Sequence, residues 1–190
     1  MQVLSVINRM LGSMGEDSLA SLEDPHQFKG DGIAMLDLES RSIQARGWWF
    51  NEEAITLTPM LNGKIILPGD LISVRTPTAN VVQRGQYLYN LDGGTNIFTE
   101  AVDVKVVRLV KFDELPETAA AYISACAVRK FQMMYDADRD RTQALAADES
   151  RAYAAANTED TRNRRGNLLL SNTRLARLKF ITNQARRFIR

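Results

Sequence analysis

Over the nine residues Ile43-Gln44-Ala45-Arg46-Gly47-Trp48-Trp49-Phe50-Asn51 the chain passes from one structural period to another. Before this stretch apolar residues recur at helical spacing, and after it they alternate. Gly47 suits the left-handed position that closes a helix, because it has no Cβ to clash there. Trp48, Trp49 and Phe50 follow at once, and three adjacent strand-favouring rings cannot be left in water together. Each ring, fully buried, contributes roughly 2–3 kcal/mol. The four residues Gly47, Trp48, Trp49 and Phe50 are therefore expected to form a structural joint that fixes how a helical part and a β part dock. The alternative is a ring platform for sugar or nucleic acid, since both tryptophans of the chain stand here.

Upstream of the joint, Val3, Val6, Ile7, Met10, Leu11 and Met14 predict an amphipathic helix over 3–14, closed by Gly15. The segment 16–24 reads as a loop anchored by Leu19 and Leu22. Asp24 before Pro25 has the pattern of an N-cap with proline at the first helical position, which starts a second helix over 25–46. Downstream, Ala54–Thr58, Lys64–Leu67, Leu71–Arg75, Val81–Arg84, Tyr87–Tyr89 and Val102–Val110 are short strand-like runs. Turn signals at Pro59, Asn62-Gly63, Pro68-Gly69-Asp70, Arg84-Gly85-Gln86 and Asp92-Gly93-Gly94 separate them. Residues 51–112 thus form a small antiparallel β region.

Helix resumes at Asp113 and Pro116, with acidic residues where the helix dipole favours them. Tyr122, Ile123, Cys126, Ala127 and Phe131 share one face over 117–136, and the surrounding alanines permit close approach of another helix. A last helix over 139–164, rich in Ala, Arg, Asp and Glu, has little amphipathic character and needs a partner for its alanine face. Gly166-Asn167 reads as its end. The fold class is α+β: a mainly helical bundle from 1–50 and 113–165, an inserted antiparallel β region over 51–112, and an extended arm over 166–190.

The net charge of +1 conceals an uneven distribution: from Arg162 onward the chain carries nine basic residues and no Asp or Glu, which leaves 15 basic against 23 acidic residues, about −8, on 1–161. An acidic body thus ends in a basic segment that also holds Leu168, Leu169, Leu170, Leu175, Leu178, Phe180, Ile181, Phe188 and Ile189. So many large apolar residues argue for an arm that docks on an acidic partner, protein or nucleic acid, against the reading of a solvated extension. Candidate contact residues are Arg174, Leu175, Arg177, Leu178, Lys179, Phe180, Arg186, Arg187 and Phe188, the cations for charge pairing and the apolar side chains as anchors.

No catalytic set assembles from the sequence. One cysteine and one histidine give neither an internal disulfide nor a His-based metal site or Ser-His-Asp triad. Asp136, Asp138 and Asp140 open like a calcium loop, but Arg141 stands where that loop needs glycine and Ala147 where it needs glutamate. Gly30 and Gly32 follow no strand and make no dinucleotide fingerprint, so no cofactor is expected. Glu52-Glu53, Asp113/Glu114/Glu117 and Asp148-Glu149 are carboxylate sets that could serve polysaccharide hydrolysis beside the tryptophans, with surface charge as the ordinary alternative. No run reaches the roughly 20 apolar residues of a membrane-spanning helix. The opening Met1-Gln2-Val3-Leu4 lacks the basic stretch of a secretory signal. The expectation is a protein made in the cytoplasm with no membrane anchor.

Taken in order, several motifs resemble one family. They are Val6-Ile7-Asn8-Arg9-Met10-Leu11 through Met14-Gly15-Glu16, the joint Ile43-Gln44-x-Arg46-Gly47-Trp48-x-Phe50-Asn51-x-Glu53, and the turn Leu67-Pro68-x-Asp70-x-Ile72-Ser73. Arg84-Gly85-x-Tyr87-Leu88-Tyr89, Val104-Lys105-x-Val107-Arg108, Phe112-Asp113-Glu114-Leu115-Pro116-Glu117, Tyr122-Ile123, Ala127 and Arg129-Lys130-Phe131 continue the series. Together they resemble tail tubular protein A, the head-to-tail adaptor of short-tailed podophages, over roughly residues 4–165, with departures at Gln86 and Trp49. The resemblance implies a virion structural protein with no enzymatic activity: a helix bundle with an inserted β region. It also implies a homo-oligomeric ring of twelve copies beneath the portal protein, with the tail nozzle protein attached below and DNA passing through the lumen without sequence-specific contact. A nucleic-acid-binding protein acting through the basic segment is the alternative, and a tail-associated polysaccharide hydrolase the more distant one.

Overall fold

The computed structural model describes residues 2–76 and 80–171. Among the described residues four α-helices and five strands make an α+β fold. Helix α1 (Val3–Met14) closes on Gly15 at φ +83, whose N–H returns to the Gly12 and Leu11 carbonyls, as the apolar spacing and the glycine require. Its apolar stripe Val6, Ile7, Met10 and Leu11 is fully buried.

Helix α2 (Lys29–Gln44) starts one turn later than expected. Asp24 does not cap it: Asp24 Oδ2 accepts the Ala20 and Ser21 N–H groups at 2.9 and 2.8 Å, so the side chain closes the preceding loop. A carboxylate satisfies whichever free N–H groups lie nearest, and here those precede it in the chain. Leu19 anchors that loop from a buried position, with its backbone held at both N–H and C=O by Asn8, whereas Leu22 stays exposed.

The β region consists of two sheets. β1 (Glu52–Leu57), β5 (Val102–Arg108) and β2 (Leu71–Arg75) form an antiparallel three-stranded sheet in the order β1-β5-β2, and β3 (Val81–Arg84) pairs with β4 (Tyr87–Asn90) as a hairpin. The run at Lys64–Leu67 makes only isolated bridges, Lys64 to Ile97 and Ile66 to Tyr87. It contributes Ile65 and Leu67 to a second core with Leu57, Leu88, Val104 and Val106.

A 3-10 turn (Phe112–Glu114) leads into α3 (Glu117–Tyr135), and α4 (Arg139–Ser171) completes the fold. Helix α3 is the central element: Ala120, Ile123, Ala127, Val128 and Phe131 pack on α1 and α2, and Ala156 of α4 is fully buried. The expected bundle face is present, with small residues permitting the close approach. Two of the three aspartates at the α3–α4 turn have structural partners: Asp138 Oδ1 accepts the Arg141 N–H at 2.7 Å, capping α4, and Asp136 accepts Gln132 Nε2 at 2.6 Å.

Gly166-Asn167 does not end α4. The helix runs 33 residues, through the glycine to Ser171. One interior glycine costs about 1 kcal/mol relative to alanine, less than the cooperative gain of continuing a long helix into the good helix formers Leu168–Leu170. Arg174, Leu175, Arg177, Leu178, Lys179, Phe180, Arg186, Arg187 and Phe188 lie outside the described residues.

Candidate functional site

The joint does not extend β1 backwards. Trp48, Trp49, Phe50 and Asn51 form a turn between α2 and β1, with the Asn51 and Glu52 N–H groups both on the Trp48 carbonyl at 3.1 Å. Strand propensity is overridden here because the rings are worth more packed into the bundle than alternating across a sheet. Gly47 takes φ +76, the left-handed conformation expected of it, and a Cβ there would approach Val107 Cγ2 to 3.2 Å.

Trp48 is 2% exposed. Its ring lies 6.4 Å from the stacked Phe50 ring, 6.4 Å edge-on from Trp49 and 6.2 Å from Tyr122 of α3, with its indole N–H on the Ile43 carbonyl at 2.8 Å. The Arg46 guanidinium covers it at 4.7 Å. A ring enclosed in this way offers no open face to a sugar or a base. Trp49 and Phe50 are half-buried.

Beneath the rings lies a polar network that no local pattern of the sequence marks. Asn51, 1% exposed, accepts the Trp48 N–H at 2.8 Å and donates to the Gln44 and Arg108 carbonyls at 3.1 and 2.9 Å. The fully buried Gln44 reaches Val110, two residues past β5. Both amides satisfy backbone groups where a helix and a strand stop, which is the requirement for burying such ends. The one signal in the sequence was polarity in the middle of an otherwise apolar stretch.

Helix α4 lies over this joint. Arg46 donates to Tyr153 Oη and Asn157 Oδ1 at 3.2 and 3.1 Å, and Asp160 and Arg164 hold the turn itself. Burial pulls the Arg164 pKa down, but hydrogen bonds to Asp160 and Glu52 outweigh it and the net shift is upward.

Four of the carboxylates weighed for hydrolysis, Glu52, Glu53, Asp148 and Glu149, are engaged by cations. Glu52 meets Arg164 at 3.0 Å and Lys105 at 3.7 Å, Glu53 and Asp70 flank Arg108 at 2.8 and 2.7 Å, Glu149 pairs with Arg129 and Asp148 with Arg151. Hydrogen bonds to Glu53 and Asp70 raise the Arg108 pKa. These pairs tie β1 to β5, the β2 turn to β5, and α3 to α4.

Comparison with known proteins fits this architecture. The family model for tail tubular proteins matches residues 4–167, which runs from the first turn of α1 through the joint and the β region to within the last turns of α4. The chain belongs to the tail tubular protein family. Tail tubular protein A of Klebsiella phage KP34 is 27% identical over 180 residues, covering 93% of this chain and 95% of that protein. As a tail tubular protein the chain is a structural component of the phage tail, found in the virion. Among the described residues no helix is long and apolar enough to cross a membrane.

Proposed function

We propose that the protein is the adaptor of the tail: copies close into a ring that joins the portal to the nozzle and surrounds the channel through which DNA leaves the head. The number twelve for the copies is carried by the family resemblance. The acidic body builds the ring, the β region meets neighbouring subunits or the nozzle, and the basic-apolar segment beyond α4 grips the portal. The observation that carries this reading is the charge division, about −8 on 1–161 against nine basic residues without an acid from Arg162 onward, in a chain whose family forms the phage tail. Among the candidates, Arg174, Arg177, Lys179, Arg186 and Arg187 supply the charge, and Leu175, Leu178, Phe180 and Phe188 the apolar anchors.

Because α4 continues to Ser171, the informative truncation is one made after that residue. Co-sedimentation with portal rings should be lost in the truncated protein and kept in the full chain. Undiminished binding would sink the assignment of the segment.

The density of arginines also favours a second reading, in which the segment contacts DNA phosphates. Affinity for duplex should then fall linearly with the logarithm of salt concentration, with a slope near the number of phosphate contacts. A portal interface anchored by Leu and Phe keeps much of its affinity in the same titration.

A further inference from the structure

The apolar hold of helix α4 is on the helices, through Leu145 on the core and Tyr153 at 5.3 Å from the Tyr122 ring, and not on the β region. Of its side chains in 139–164 only Ala156 and Asp160 are buried. An alanine face leaves a helix free to rotate or slide on its neighbour, so whatever fixes α4 against the β region must be polar and directional.

Two residues one helical turn apart supply that hold. Asp160 Oδ1 accepts the Trp49 N–H at 2.9 Å. Arg164 donates through Nη2 to the Gly47 carbonyl at 2.9 Å and through Nη1 to Glu52 Oε2 at 3.0 Å. Its Nε faces both oxygens of Asp160, at 2.8 and 2.9 Å. Gly47 precedes the aromatic turn and Glu52 is the first residue of β1, so one guanidinium bridges both arms of the joint. Planar and with five donors in a fixed fork, it sets direction as well as distance, which an ammonium group cannot do.

We propose that Arg164 is the positioning residue that fixes the direction of the β region relative to α4, and through it the angle at which copies of the chain meet. The first half stands on this chain alone; the second rests on the ring reading above.

Spin labels at two exposed positions, Ser150 on α4 and Ala54 in β1, in a Cys126→Ala background, report the relation directly. Arg164→Ala should broaden the distance distribution while the far-UV helical signal keeps its wild-type size, Arg164→Lys should give an intermediate width, and Glu52→Gln a smaller broadening. In negative-stain images Arg164→Ala should replace rings of one diameter by open arcs and mixed diameters. A distribution as narrow in Arg164→Ala as in the unsubstituted protein overturns the clamp. A broadened distribution with rings still of one diameter overturns its role in assembly. If Arg164→Ala fails to fold, Glu52→Gln, which leaves the Asp160 pair in place, is read by the same two outcomes. An unsubstituted protein that forms no rings overturns the ring reading and the second half of the proposal with it, while the distances still decide the first.

Discussion

Gln44 holds Val110 by both ends of its side-chain amide: Nε2 donates to the Val110 carbonyl at 2.9 Å and Oε1 accepts the Val110 N–H at 2.8 Å. The end of α2 thereby completes the hydrogen bonding of the chain just past β5, in place of a neighbouring strand. Replacing Gln44 by Ala leaves both groups of the half-buried Val110 without their protein partner, and each unsatisfied group costs about 1–3 kcal/mol. Urea unfolding of Gln44→Ala should show a loss on the order of 2–4 kcal/mol. A midpoint equal to that of the unsubstituted protein would mean that water replaces the amide.

Trp48 and Trp49 are neighbours in sequence and unequal in the fold, one 2% exposed and the other half-buried. Trp48→Ala should cost roughly 3–5 kcal/mol and reduce ring assembly with it, and Trp49→Ala clearly less. Thermal unfolding and negative-stain imaging of the two variants give the comparison. A soluble Trp48→Ala protein that still forms rings would show that the aromatic cluster is not structural.

Two left-handed glycines separate backbone strain from crowding. Gly15 and Gly47 have φ +83 and +76, but an added Cβ meets nothing within 4 Å at Gly15 and lies 3.2 Å from Val107 Cγ2 at Gly47. The left-handed conformation alone costs an alanine about 1–2 kcal/mol. Gly47→Ala should therefore lose more stability than Gly15→Ala, and equal losses would show that Val107 yields freely.

The Cys126 thiol is buried on α3, and burial, followed by the nearby Glu149 carboxylate, raises its pKa from 9.0 to about 12. The folded protein should resist thiol reagents at mildly alkaline pH and react on unfolding. Because the unfolded chain gives up this proton first, its contribution to stability is complete below pH 9.0 and is lost as pH rises toward about 12. Cys126→Ala should flatten that part of the stability profile, alongside the remaining slope from Tyr122, whose pKa burial also raises. An unchanged slope would remove Cys126 from the account.

The elements legible in the sequence were those with a strong local period. Val3 to Met14 and its glycine cap gave helix α1 to the residue, and Leu71–Arg75 and Val81–Arg84 gave β2 and β3 at the expected positions. Local signals misled where a nearer backbone donor or the cooperativity of a long helix prevailed over them. Asp24 had the sequence of a cap and closes a loop instead, and Gly166 had the sequence of a stop and sits inside α4.

The sequence by itself determined that helices flank a β region, that the change of period falls at Gly47, and that an acidic body precedes a basic segment. Periodicity, a left-handed glycine and charge are properties of short stretches, so neighbouring residues alone specify them. Only the tertiary structure decided what the joint is: an enclosed Trp48, an amide network from Gln44 and Asn51, and the clamp of Asp160 and Arg164. Those contacts join positions as far apart as Gly47 and Arg164, and a hydrogen bond depends on angstrom-scale placement that no local pattern encodes.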